Sequence, residues 1–276
     1  MIDRQKITVP RMWQLVIEIS STSLHAMAFR HDEEQTLQTL RVDLPATAPT
    51  ALGALEEAVY NNPALTDDFG RVTVLWRSER FAVMPGFVTD DAIATAVLRA
   101  QFPEEKSQGA TEVLFDTLEW ADMRIAYELP AKLLAFIRRT FNNPAIHHSL
   151  TPQTLWFAAK NAGRPSGKTL ANLADDHLDV VILGQRVPLL VNSFALTDPA
   201  DAVYYLLAAR RAFELADSDE IILAGSQHMR AAVSPVLRRY VGYVMPAIFP
   251  AEMFRLGRDI TACPFEMAIA PAVFNS

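Results

Sequence analysis

Residues 15–29 read LVIEISSTSLHAMAF, and residues 169–183 read TLANLADDHLDVVIL. The two stretches superpose without a gap: Glu18 falls on Asn172, Ser21 on Asp175 and Leu24 on Leu178. Each is an apolar run, a short polar turn and a second apolar run. Each leads into a third run, at 36–44 and at 187–196. Short runs that accumulate apolar residues rather than alternate them mark strands covered on both faces. Each copy therefore predicts strand, tight turn, strand, strand.

Outward from the first copy, the spacing of Leu52, Leu55, Ala58 and Val59 predicts a helix over 50–60 opened by Pro49. Strands at 72–76 and 81–84 and a helix from Thr89 or Asp90 to Ala100 follow. Polar residues at 104–109 predict an exposed loop. A hairpin (112–119 and 123–129), a helix (130–141), a strand (146–150) and a helix (151–162) come next. Residues 104–165 have no counterpart in the second half and read as an inserted subdomain. GRPSG at 163–167 reads as a linker, giving domains 1–165 and 166–276. After the second copy come a helix (198–216), a strand (220–224), a helix (229–240), a strand (242–246) and closing helices at 250–256 and 264–270. Each half thus repeats strand, strand, strand, helix, strand, helix. That is an α/β chain with mixed sheets flanked by helices, in two domains around a cleft.

Composition narrows the function classes. The chain has 276 residues, half of them hydrophobic, 21% charged, and a net charge of −7. No Lys/Arg cluster stands out, which argues against a nucleic-acid partner. Cys263 is the only cysteine, so an internal disulfide or a thiolate metal cluster is excluded. It precedes an apolar segment and reads as a buried structural thiol. No signal peptide is evident at the N-terminus, and no run approaches the roughly 20 apolar residues of a membrane helix. A cytoplasmic protein with no membrane span is expected.

Three segments carry a resemblance to the actin-like ATPase superfamily of actin, Hsp70 and sugar kinases. LVIEISSTSLHAMAF resembles its first phosphate-binding hairpin. LANLADDHLDVVIL stands where the second belongs. EIILAGSQHMRAAVSPVLRRYV, at 220–241, resembles its adenosine motif. More closely, the chain is similar to an uncharacterised bacterial family with this fold and no assigned activity. The insertion and small size are similar to the pilus and type II secretion adaptors of the superfamily, which act by binding partners. The resemblance implies a duplicated actin-like (ribonuclease H-like) fold. It also implies nucleotide-cleft positions at Glu18, Ser20, Ser21, Thr22, Asn172, Asp175, Asp176, Gly225 and Ser226.

Those positions depart from the superfamily pattern. Glycines in its hairpins let backbone N–H groups approach phosphates; here Ser20 and Ala174 stand instead, at a cost of roughly 1–2 kcal/mol if left-handed. Neither turn offers a Lys or Arg. Asp175 and Asp176 would repel a phosphate by on the order of 4 kcal/mol per pair at an effective dielectric of about 20. Asn172 replaces an acidic residue. Glu18 reads either as a holder of hydrated Mg²⁺ or as a strand-end carboxylate bonded by turn N–H groups. Asp175 and Asp176 read as a metal pair or as turn chemistry. Gly225 and Ser226 read as an adenine floor or as a helix-start turn. GRPSGKT at 163–169 is one residue short of a phosphate loop and precedes a strand, not a helix. His147 and His148 share a strand, so their rings point to opposite faces.

Two functions compete on these residues. One is a non-catalytic actin-like scaffold or adaptor, a pseudo-ATPase with an unidentified protein partner and no cofactor beyond weak Mg-ATP binding. The other is an ATP-dependent phosphotransferase or ATPase with atypical phosphate loops.

Overall fold

The computed structural model describes residues 2–45, 50–102, 109–163 and 168–274. The first half begins with β1 (Gln14–Ile19), β2 (Ser23–Phe29), β3 (Gln38–Asp43), α1 (Ala51–Tyr60) and β4 (Arg71–Trp76). It continues through β5 (Phe81–Pro85), α2 (Asp91–Gln101), β6 (Thr111–Leu118), β7 (Met123–Pro130), α3 (Ala131–Thr140), β8 (Ala145–His148) and α4 (Leu150–Lys160). The second half contains β9 (Thr169–Leu173), β10 (His177–Leu183), β11 (Pro188–Ala195), α5 (Pro199–Ala212), β12 (Ile221–Gly225), α6 (Gln227–Leu237), β13 (Val244–Pro246), α7 (Ala251–Leu256) and α8 (Phe265–Phe274).

The described strands form three sheets, two of them copies of one another. One runs β3-β2-β1-β4-β8 and the other β11-β10-β9-β12-β13. The registers agree residue by residue. Glu18 lies opposite His25, and Asn172 opposite Asp179. Ile19 pairs with Trp76, and Leu173 with Gly225. The ungapped repeat in the sequence is therefore a repeat in space.

The extra material is cut differently from the expected 104–165 block. The third sheet, β5-β7-β6, takes in Phe81–Pro85 and ends at Pro130. β8 pairs in parallel with β4 and belongs to the first five-stranded sheet. Sequence adjacency hid this, because β5 pairs with a strand some forty positions downstream. Helix α2 covers the third sheet through Ala94 and Leu98, against Ala82, Met84 and Ala126. Helix α1 is capped by Thr50, whose Oγ accepts from Gly53 N–H at 3.0 Å. The expected Pro49 start, most of the 104–109 loop and the 163–167 linker beyond Gly163 lie outside the described residues.

Period-two alternation sorts each strand into two faces. Leu15, Ile17 and Ile19 of β1 face α1 and α3, against Leu55, Val59, Leu133 and Ile137. Val16 on the opposite face meets Met27, Phe29 and Leu75, and is covered by Met253, Leu256, Met267 and Ala268 of α7 and α8. Helix α4, from the first half, is buried with Leu150, Trp156 and Phe157 against Val181, Leu183 and Ala224 of the second sheet. The halves thus exchange their closing helices, and α4 packs on α8 between the two sheets.

This exchange makes Phe157, which is fully buried, a shared core residue. Phe157→Ala is expected to cost about 3–5 kcal/mol and to shift one common denaturation midpoint, read by far-UV circular dichroism in urea.

Candidate functional site

The inner faces of both sheets are largely apolar, and their buried acids and amide lie at the strand ends nearest the two hairpins. Glu18 follows Val16 on the inner face of β1, and Asn172 follows Leu170 on that of β9. Asp179 precedes Val181 on β10. All three are buried. Between them lies Arg77, the residue that follows β4, whose N–H donates to Ile19 O (2.9 Å).

The Arg77 guanidinium holds three carboxylates. Nη1 donates to both oxygens of Asp179 at 3.1 Å, while Nη2 donates to Glu18 Oε1 at 3.1 Å and to Glu266 Oε1. Glu266 comes from the first turn of α8 and accepts from Asn172 Nδ2 at 2.8 Å. Asp179 also accepts from Gln153 Nε2 of α4 and Ser193 Oγ of β11, both at 2.7 Å. Each exchanged helix therefore delivers one polar side chain to the centre.

Buried acids keep charge only when paired. Burial raises the Asp179 carboxyl, but Arg77, His177 and the two side-chain donors outweigh it and hold it at about 2. Burial, together with the neighbouring Glu266 charge, pushes Glu18 well above the usual carboxylate range against the pull of Arg77. Burial also works against Glu266 ionisation, yet Arg77 and the hydrogen bond with Glu18 bring its carboxyl down. Within the pair, the surroundings thus favour the neutral form of Glu18 and the charged form of Glu266. Burial disfavours the charged guanidinium, but the three acids raise Arg77 well above its ordinary value.

The predicted positions divide. Glu18 and Asn172 are brought together in this cluster. In the first turn Ser20 N–H donates to Ser23 O (2.9 Å), and Ser20 Oγ accepts from Thr22 N–H (3.2 Å) and Ser23 N–H (3.0 Å). Ser21 and Thr22 are exposed. In the second turn Ala174 N–H donates to His177 O (2.9 Å). Asp176 pairs with His177 Nδ1 (2.6 Å), and Asp175 accepts from Ser226 Oγ (3.2 Å). Neither Ser20 nor Ala174 has positive φ, so the strain expected there is absent. Gly225 does, at +84°, and a Cβ there would stand 2.1 Å from Leu173 O. Ser226 caps α6.

His177, Asp179 and Glu266 place ligand atoms within 4.8 Å of one another. The donor set does not fit a metal ion, however: Arg77 already supplies the cation, and both Asp179 oxygens are occupied by N–H and O–H donors. The expected divergence of the two histidines holds. His148 is buried on Ser78 O at 3.0 Å and burial lowers it to about 4, while His147 faces Asp116 at 2.9 Å. Burial pushes the half-buried Cys263 thiol up to about 12. A cavity of about 1340 Å³ lies elsewhere, and none of the predicted cleft residues lines it.

Sequence reasoning missed Arg77, Asp179, Glu266 and Gln153. For two of them a signal was available: Asp179 and Glu266 are charged residues inside otherwise apolar stretches, whereas Arg77 opens the polar run RSER and Gln153 lies among polar residues. What the sequence does not carry is their convergence, since the Arg77 contacts span 59, 102 and 189 positions.

A family profile described as a protein of unknown function, DUF3822, matches residues 5–244. The chain belongs to that family. No curated protein matches it by sequence. Among solved structures it is similar to a Bacteroides thetaiotaomicron protein with an actin-like ATPase fold and unknown function. That likeness has a TM-score of 0.76 at 19% identity, over 95% of this chain and 98% of that one. It is also similar to a PilM–PilN type IV pilus biogenesis complex, with a TM-score of 0.51 at 12% identity over 96% of each chain. At these identities the likeness shows the fold alone: this family member has an actin-like ATPase fold. No described helix is long and apolar enough to cross a membrane.

The pH dependence of stability follows from the shifts. His148 is depressed, so the unfolded chain takes up a proton that the folded one refuses, and stability falls between about pH 6.5 and 4. Asp179 is depressed to about 2, so its contribution is present above pH 3.8 and is lost as pH falls from 3.8 towards 2. That second loss is on the order of 2 kcal/mol. In Asp179→Asn, urea midpoints measured from pH 7 to 2 are expected to show a smaller loss below pH 3.8 and to keep the upper step.

Proposed function

We propose that this protein is a non-catalytic, cytoplasmic actin-like adaptor, one that keeps the architecture of an ATPase and works through a protein partner. The observation that carries this reading is Arg77. Its guanidinium lies at the base of both hairpins, salt-bridged to Glu18, Asp179 and Glu266. A phosphate chain gripped by the hairpins would have to sit there. To admit it, the molecule would leave buried carboxylates unpaired, at about 3–5 kcal/mol. Part of the hairpins' donor set is also spent: the N–H groups of Ser20, Thr22, Ser23 and Ala174 are taken within their own turns. Gly225 is explained by its close approach to Leu173 and needs no adenine. The PilM–PilN complex offers a precedent for such a fold inside a protein assembly. On this reading 1–165 and 166–276 act as one locked unit.

Isothermal titration of the purified protein with Mg-ATP is expected to give no heat of binding, and phosphate release should stay at background. Micromolar affinity that disappears in Glu18→Ala would sink the adaptor reading and favour the phosphotransferase alternative.

A further inference from the structure

The third sheet has an open edge, and its register says which groups are open. Ala131 N–H donates to Ala110 O at 2.9 Å. From there the β6–β7 register runs unbroken, from Thr111↔Pro130 to Leu118↔Met123. Bonded and non-bonded positions alternate along an antiparallel pair. With position 110 bonded, Glu112, Leu114, Asp116 and Leu118 turn their backbone groups to β7. Thr111, Val113, Phe115 and Thr117 turn theirs outward. The other side of β7 agrees: Glu128 N–H goes to Arg80 O (3.0 Å) and Gly86 N–H to Asp122 O (2.8 Å), so its even-numbered residues serve β5. Among the described residues no other strand pairs with β6.

The β8 and β13 edges of the other two sheets are engaged by side chains. On β8, Ile146 O accepts from Tyr127 Oη (3.1 Å), and His148 N–H donates to Asp116 Oδ2 (2.7 Å). On β13, Val244 O accepts from Arg238 Nη2 (3.0 Å), and Pro246 has no N–H to offer. Strand β6 has no proline, no lysine and no bulge, the usual devices for blunting an edge.

The edge also borders space. Phe115 and Thr117 line the 1340 Å³ cavity together with Trp120, Trp156 and Phe274. Trp156 is 7% exposed, and its buried Nε1 has no partner. The charge around the cavity is unbalanced: Glu119 and Glu252 line it against Lys160, while Asp116 is already paired with His147.

We propose that β6 receives an extended segment of a partner protein as a fourth strand of the third sheet. Apolar side chains of that segment enter the cavity, and a basic residue meets Glu119 and Glu252. The proposal rests on the adaptor reading and names the grip by which such an adaptor would hold its partner. Main-chain bonds to Val113, Phe115 and Thr117 supply affinity, and the aromatic walls select side chains.

The probe is a library of peptides about seven residues long, the length of a strand, with apolar residues alternating with threonine and one arginine. Binding to the full-length protein is followed by tryptophan fluorescence and by amide hydrogen exchange. A binder is expected to slow exchange at Val113, Phe115 and Thr117 while Glu112 and Leu114 keep their native rates. Thr117→Pro removes an outward N–H without touching a bond to β7, so the sheet should fold. Its affinity for the same peptide should fall roughly tenfold. The proposal is overturned if no peptide protects these amides at roughly millimolar concentration, or if Thr117→Pro binds like the native chain. Concentration-dependent self-association protecting the same amides would give the edge to a second copy and overturn it too. Nucleotide binding at Arg77 would fail the pseudo-ATPase reading while leaving the peptide result intact, so the two failures are separable.

Discussion

One buried guanidinium fixes the relation of the two halves. Arg77 enters from β4, its acids from β1, β10 and α8, and the supporting amides from β9 and α4. No single element could hold this charge, because three acids around one cation leave excess negative charge in a medium that penalises it. Burial and the Glu266 charge push Glu18 towards its neutral form, which relieves the excess. The cluster is therefore complete only when both halves are folded and docked. The helix exchange follows the same logic, since α4 and α8 must cross over to deliver Gln153 and Glu266.

Such a cluster is weak evidence of stability in itself, because a well-packed apolar centre of equal volume often does as well. Its consequence is geometric. Each member has a defined partner atom, so the halves have one way to dock. Removing Arg77 would leave Asp179 and Glu266 buried without their cation, so the centre depends on that residue above the others.

The hairpins were legible in the sequence because their information is local: apolar runs of strand length, a polar turn, and a repeat that superposes without gaps. The actin-like order followed from them. The third sheet was not legible, since Phe81–Pro85 looks like any short strand and nothing in its residues names Met123–Pro130 as its neighbour. The site was half legible. Glu18 and Asn172 lie inside recognisable hairpins, whereas Arg77 and Glu266 belong to no motif. Glu266 interrupts an apolar stretch, a question the sequence raises and only the packing answers, while Arg77 opens a polar turn and looks like any turn residue.

The position of the third sheet explains how Arg77 came to the centre. Register makes Trp76 the counterpart of Gly225 and Arg77 that of Ser226; Arg77 and Ser226 donate their N–H groups to equivalent carbonyls, Ile19 and Leu173. In the second half the chain turns at once into a helix. Gly225 takes positive φ to clear Leu173, and Ser226 is spent as the cap of α6. In the first half the next helix of the repeat comes only after the third sheet. Trp76 Nε1 and Ser78 Oγ both donate to Glu128 O at 3.0 Å, so this stretch is tied to β7 instead. Residue 77 then has no helix to cap and no left-handed turn to make, and its side chain is free to reach inward. The same insertion that supplies an open β6 edge thus also brings a cation between the two hairpins, and a single topological change accounts for both.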